Sequence, residues 1–266
     1  MELQLLTIPF SHYNERARWA LQHHRVAAHE RRYLPMIHMA PVARAVPKAQ
    51  RRSDATGGGL STPVLLLGDG TVINDSTEIV RWVDETHGTP ETTLYPADLR
   101  DEIVALERRF HDDIGRDTRF LAYWFVLQDE AAFGELVQHN VTRWQRRLFA
   151  LGAPLAKATL RKRFGLTEVN YEKVRARLEN AVDGLSDVLG DRDYLVGDRF
   201  TAADLTAAAM LSVAVLPVPG YGAHMPTMDG AYRELRDQLR ATALGRHTLR
   251  TFERHRGDAP EGWMTT

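Results

Sequence analysis

The apolar pattern along this chain changes character near residue 90. Before that point, short apolar runs without helical period predict strands over residues 2–8 (ELQLLTI), 30–34 (ERRYL, closed by Pro35) and 63–67 (PVLLL). Gly68-Asp69-Gly70 reads as a hairpin turn, which makes residues 71–74 the returning strand. Residues 13–24 place Ala17, Trp19, Ala20 and Leu21 among charges, the pattern of an amphipathic helix. A short helix is expected over 38–48 and a polar, glycine-rich loop over 51–59. Asp75, with Glu78 three residues on, signals the capped start of a helix that His87-Gly88 ends.

The predicted order is βαβαββα, closed by a hairpin, so a simple parallel repeat is excluded. Residues 89–98 read as a linker. Beyond it strand signals fade, and helical spacing runs through 99–127, 130–151, 171–189, 202–216 and 232–246, with a Pro/Gly-rich loop at 217–226. The expected organisation is a mixed α/β domain over 1–88, the linker, and an all-helical domain over 99–266.

Composition narrows the chemistry. At 44% hydrophobic and 26% charged residues the chain is ordinary globular material. Its formal net charge of -1 argues against a nucleic acid or a membrane as partner. With no cysteine, disulfides, thiolate metal sites and a Cys nucleophile are excluded, which fits a reducing, cytoplasmic setting. The first residues do not read as a secretory leader, and no apolar run approaches the roughly 18 residues of a transmembrane helix. Eleven histidines raise the question of a metal, but no HExxH-like ligand spacing occurs, so none is expected. His23, His24 and His255 read as surface residues, and Arg161-Lys162-Arg163 as a solvated turn. No GxGxxG, GxxxxGK[ST] or GxSxG motif is present.

Four local signatures fall in a fixed order. Ser11-His12-Tyr13-Asn14 sits between the first strand and the first helix, where thioredoxin-like redox proteins place CxxC. Ser61-Thr62-Pro63-Val64 opens the third strand with a proline. Asp75-Ser76 starts the third helix. Phe200-Thr201-Ala202-Ala203-Asp204-Leu205, after Tyr194-Leu195-Val196-Gly197-Asp198, combines a capping box with a hydrophobic staple. Together they resemble the serine-type, cytosolic glutathione S-transferase family over nearly the whole length. The resemblance implies a thioredoxin-like N-terminal domain joined to an all-α C-terminal domain.

It also implies roles. Ser11 would be the catalytic hydroxyl facing the sulfur of glutathione, the co-substrate, at a helix N-terminus that favours an anion. A cis Thr62-Pro63 bond would let Thr62, Pro63 and Val64 pair with the extended tripeptide. Asp75 and Ser76 would hold its γ-glutamyl group. The loop at 44–59 lacks the usual short Asn-Pro entry, so Lys48, Arg51 and Arg52 are candidates for the glycyl carboxylate. A small hydrophobic electrophile would sit between the domains against His12, Tyr13, His111, Arg119, Tyr123 and Trp124, with Phe110 on the same segment; His111 and Asp112 are an acid–base candidate. The family commonly forms homodimers.

Three functions remain open at this point. One is a transferase that adds the thiol to an electrophile. Another is a specialised isomerase or lyase on the same scaffold. The third is a non-catalytic binding protein. Lysine is scarce beside arginine, the coding bias of a GC-rich genome. Some organisms of that kind use a different low-molecular-weight thiol, so the thiol's identity is open too.

Overall fold

A computed structural model of the chain describes residues 3–51 and 59–266. Glu2 of the expected first strand and the candidate Arg52 lie outside the described residues. Strands β1 (Gln4–Thr7), β2 (His29–Arg32), β3 (Val64–Leu66) and β4 (Val72–Ile73) form with helices α1 (His12–His23), α2 (Met39–Ala45) and α3 (Ser76–His87) the α/β unit that the pattern predicted. A fifth strand was not expected: β5 (Met264–Thr265) returns from the end of the chain and pairs parallel to β2, giving the order β4-β3-β1-β2-β5. Two exposed residues with no apolar alternation leave no strand signal. Backbone bonds make the strand, as in Thr266 N–H to Glu30 O at 2.9 Å.

The helical part runs through α4 (Arg100–Arg109), a π-helical turn at Phe110–Gly115, α5 (Arg116–Val126), α6 (Glu130–Asn140), α7 (Arg143–Phe164), α8 (Glu168–Leu189), α9 (Ala202–Ser212), α10 (Ala231–Ala241) and α11 (Ala243–His255). Three predicted helices are broken. The run 99–127 is interrupted by the π turn. The run 130–151 stops at Asn140, whose amide donates to the carbonyls of Leu136 and His224, and α7 begins after Thr142. The run 232–246 breaks at Thr242, which caps α11 through Gly245 N–H. There a Cβ on Gly245 would fall 1.9 Å from the Leu239 carbonyl, so the corner admits only glycine. Arg161-Lys162-Arg163 form the last turn of α7 rather than a loop.

The core centres on α9. Every residue from Ala202 to Ser212 is buried, so this helix has no polar face and lies among other helices. α1 packs between α3 and α9, and that placement corrects the amphipathic reading. Glu15, Arg16 and Arg18 are all buried beside Trp19. They stay charged inside because each is paired: Arg16 with Glu107, and Arg18 with Glu15 and Glu30. His255, expected at the surface, stacks on Phe200 with ring centroids 4.4 Å apart. His23 lies 5.4 Å from the same ring, and His24 Nε2 approaches Asp84 at 3.1 Å. All three are therefore half-buried near the junction of α1 with the helical core rather than exposed.

Candidate active site

Ser11 stands at the N-cap of α1 with extended backbone (φ -82°, ψ 127°). Its carbonyl accepts from Asn14 N–H at 3.0 Å and Glu15 N–H at 2.9 Å, but its hydroxyl makes no capping bond. The first-turn amides of a helix lack intrahelical acceptors, and they aim their positive end at whatever sits over Ser11. Asn14 holds the neighbouring loop in place: its side-chain amide donates to the Ile8 carbonyl at 3.0 Å and to Thr62 Oγ1 at 3.1 Å. The Thr62–Pro63 bond is cis.

Ser11 lines an open cleft. Its walls are mostly apolar, with Phe10, Leu34, Tyr123, Phe133, Phe149 and Phe164 prominent. Its polar lining residues are Ser11, His12, Tyr13, His38, Ser61, Thr62, Arg119 and Arg163. No carboxylate lines this cleft among the described residues. The Arg119 guanidinium lies 5.6 Å from the Tyr13 ring centroid and 5.5 Å from that of Phe164, between two aromatic faces. Tyr123 stacks on Phe164 at 4.5 Å, and burial pushes its phenol up to about 12, so it stays protonated.

His12 is a neutral anchor. Its Nε2 lies 2.8 Å from the Gly115 carbonyl at the end of the π turn. Burial, and then the nearby Arg119 charge, hold its pKa down at about 3. The ring can only donate in that contact, which fixes the tautomer. The π turn in this way supplies the carbonyl that seats the start of α1. Tyr13 reaches the same turn, its O–H donating to the His111 carbonyl at 3.4 Å.

A second, polar pocket lies over the start of α3. It is lined by Asp75, Thr77, Glu78, Arg81, Glu107 and His111. Asp75 Oδ1 accepts from Thr77 N–H at 2.8 Å and Glu78 N–H at 3.1 Å. Ser76 is 3% exposed, and its Oγ lies 3.5 Å from Arg16 Nη1. Arg16 is the hub under this pocket: it also donates to Thr77 Oγ1 at 2.8 Å and pairs with Glu107. Glu107 in turn accepts from Tyr95 O–H at 2.6 Å and Arg81 at 3.1 Å.

The structure thus gathers Ser11, His12, Tyr13, Thr62, Arg119 and Tyr123 around one cleft and separates the other candidates from it. Pro63 and Val64 lie behind the cleft, with Val64 fully buried against Leu6, Val42 and Val46, so only Thr62 of that group is presented. His111 belongs to the polar pocket. Its Nδ1 lies 3.4 Å from Arg16, and burial followed by that cation lowers its pKa, while the Asp112 candidate lies exposed beside it. Trp124 lines neither pocket; it is stacked between Tyr171 at 5.0 Å and Phe120 at 6.5 Å. Phe110 is fully buried core. Arg51, a candidate for the glycyl carboxylate, donates to the carbonyls of Val46 and Ala43. Residues absent from the sequence expectation are Arg16 and Glu107 beneath the polar pocket, and His38 and Arg163 on the cleft wall. The only signal for Arg16 was a charge inside the apolar run of α1; the others left none.

Comparison with known proteins agrees with this architecture. The family model described as the glutathione S-transferase N-terminal domain matches residues 10–86, and that of the C-terminal domain matches 168–241. Together they span more than half of the sequence, and the chain belongs to the glutathione S-transferase family. No curated protein sequence matches it. Among solved structures, a glutathione S-transferase of Ceriporiopsis subvermispora in complex with glutathione superposes with a TM-score of 0.63 at 18% identity, covering 98% of this chain and 100% of that one. A glutathione S-transferase from Methylobacterium radiotolerans in complex with glutathione sulfonate gives 0.52 at 19% identity, covering 94% and 95%. The beta-etherase LigF from Sphingobium sp. strain SYK-6 gives 0.54 at 18% identity, covering 94% and 100%. At these identities the likeness is one of fold. Among the described residues no helix is long and apolar enough to cross a membrane, and no three His, Asp or Glu residues are grouped to hold a metal.

Proposed function

We propose that this chain is a glutathione transferase that activates the thiol at Ser11 and adds it to an apolar electrophile in the adjoining cleft. The observation that carries the reading is the Ser11 hydroxyl. It sits at a helix N-cap, makes no capping bond, and belongs to a residue that, with Thr62, lines a largely apolar cleft.

Ser11 O–H donates to the thiolate, and the first-turn amides of α1 add positive potential, so the thiol gives its proton to solvent more readily. His12, being neutral, adds no charge; Arg119 supplies the nearby cation. Thr62 offers its backbone to the tripeptide as an added strand. The start of α3, through the Ser76 amide and the Arg16 guanidinium behind it, receives the γ-glutamyl carboxylate. The aromatic walls hold the acceptor beside the sulfur, which supplies proximity. The sulfur–carbon bond forms as the leaving group departs with its electron pair, or, in an addition, as the neighbouring atom takes up a proton. A cytoplasmic homodimer, the family's common assembly, goes with this reading.

A thiol-dependent lyase or isomerase is the second reading, supported by the beta-etherase among the structural neighbours. Calorimetric titration with glutathione, paired with a turnover assay on an aromatic halide, separates these functions. Binding that weakens in Ser76→Ala, with turnover lost in Ser11→Ala, supports the transferase. Saturable binding without turnover of any electrophile panel moves the reading to the second class or to a binding protein. Absence of binding at millimolar glutathione sinks the glutathione reading and points to another thiol.

A further inference from the structure

The 22-residue helix α7 carries seven Lys and Arg and no Asp or Glu, in a chain whose formal net charge is only -1. One face of it serves the fold: Gln145, Phe149, Ala156 and Leu160 are buried. A separate face presents Trp144, Leu148, Leu151 and Leu155, which are 54%, 52%, 87% and 73% exposed. Steps of four, three and four residues align them in a single stripe. At about 1.5 Å per residue that stripe is roughly 16 Å long. Scattered exposed leucines need no explanation, but a contiguous row marks an interaction surface.

Cations frame the row. Arg143 and Arg147 flank its start, and Lys162 continues its line at the far end. Within the described residues none of the three side chains makes a hydrogen bond or an ion pair. Lys157, by contrast, is engaged with Glu130, and Arg161 with the Leu127 carbonyl. Three of the cations of α7 without a side-chain partner therefore border the apolar row, while Arg163 lies on the cleft wall.

This charge pattern selects the occupant. A second copy packing α7 on α7 would set the unpaired cations Arg143, Arg147 and Lys162 of one chain beside those of the other, with no carboxylate on either helix, a like-charge contact that disfavours the pair. An anionic bilayer supplies both complements at once: an apolar acyl boundary for Trp and Leu, and dense negative charge for Arg and Lys.

We propose that α7 docks this protein reversibly onto an anionic lipid surface, lying in the headgroup plane with Trp144, Leu148, Leu151 and Leu155 facing the acyl chains. The whole-chain charge conceals this because acidic residues elsewhere cancel it. Phe149, Leu160 and Phe164 of the same helix line the cleft, so docking sets the cleft wall beside the lipid, where apolar acceptors accumulate. The docking itself does not depend on the transferase reading.

The test is flotation of the full chain with vesicles of phosphatidylcholine alone and of phosphatidylcholine mixed equally with phosphatidylglycerol. Binding is expected only to the mixed vesicles, with a blue shift of Trp emission that Trp144→Phe removes. Arg143→Gln, Arg147→Gln and Lys162→Gln combined should weaken it about a hundredfold, each cation near the surface contributing roughly a fivefold factor. Leu148→Glu with Leu151→Glu should abolish it. These positions are exposed, and circular dichroism with a thermal melt verifies that the variants fold. Absence of wild-type binding to mixed vesicles at about 0.05 M salt overturns the proposal, as does binding that the Leu variants leave unchanged. So does a dimer in sedimentation that the Leu variants dissociate while vesicles bind neither form, which would assign the row to a second copy.

Discussion

Arg256 Nε donates to Glu15 Oε1 at 2.7 Å, joining the residue that follows α11 to the first turn of α1, 241 positions away in sequence. The other Glu15 oxygen accepts from Gly222 N–H at 3.0 Å and from Arg18. Glu15 is fully buried, so its charge exists inside only because these donors surround it. Arg256→Ala is expected to destabilise the protein by about 3 kcal/mol, the usual cost of leaving one member of a buried pair short of its partner. Denaturant titration measures this. An unchanged midpoint would show that water replaces the guanidinium without cost.

Stability should fall in two stages as the solution is acidified. For His12, burial lowers the folded pKa to about 3 from an ordinary 6.5, and for His38 burial lowers it to about 4. Between those values and 6.5 the unfolded chain binds protons that the folded one does not, so the neutral histidines' stabilisation is complete above 6.5 and declines as pH falls below it. Each contributes a slope of about 1.4 kcal/mol per pH unit in that window. Glu30 follows at lower pH. Burial alone would raise its pKa, but Arg18 and then Arg32 outweigh that and hold it at about 2 against an ordinary 4.5. Its contribution is intact above 4.5 and lost toward 2. Thermal melts across this range check both stages, and His12→Asn should flatten the first.

Gly115→Ala tests the contact between the π turn and the start of α1. A Cβ there would lie 2.6 Å from Met210 Sδ and 2.7 Å from Tyr13 Oη. Overpacking of this kind costs about 1–3 kcal/mol. Tyr13 can yield only toward the cleft or away from the His111 carbonyl. The acceptor KM should rise severalfold while glutathione affinity changes little, a split that steady-state kinetics with each substrate varied would reveal. Equal effects on both would instead place the disturbance at Ser11.

Asp204 fixes the junction of α9 with the preceding loop. It accepts from Thr201 N–H at 3.0 Å, Thr201 Oγ1 at 2.9 Å and Leu195 N–H at 2.8 Å, and it is fully buried. Asp204→Ala orphans all three donors, so a loss of about 3 kcal/mol or more is expected. Chemical denaturation of the purified variant measures it. A loss below about 1 kcal/mol would show the capping box to be incidental.

Local chemistry made the fold legible. The hairpin at 68–70, the Asp75 cap and the Thr201/Asp204 capping box each act within a few residues, and each forms as the sequence predicts. Ser11 was legible for the same reason: a helix start is a local feature, and its anion-favouring field comes with it. The apparent amphipathicity of α1 misled because pattern reading assigns charges to water. Whether Arg16 and Arg18 meet solvent or a carboxylate depends on Glu107 and Glu30, which come from other elements.

The sequence by itself therefore determined the order of elements as far as α3, the caps at Asp75 and Thr201, and the position of the α1 N-terminus, since all of these are settled by short-range sterics and hydrogen bonds. Only the tertiary structure decided which side chains share the cleft. His12, Arg119 and Tyr123 line one cleft with Ser11, whereas His111 lines the polar pocket and Trp124 stacks between Tyr171 and Phe120, because contacts with other elements, not local sequence, choose where each side chain goes. Only the tertiary structure also decided that α7 keeps Phe149 and Leu160 for the interior and leaves Leu151 and Leu155 in water. A helix has two sides, and its neighbours choose between them.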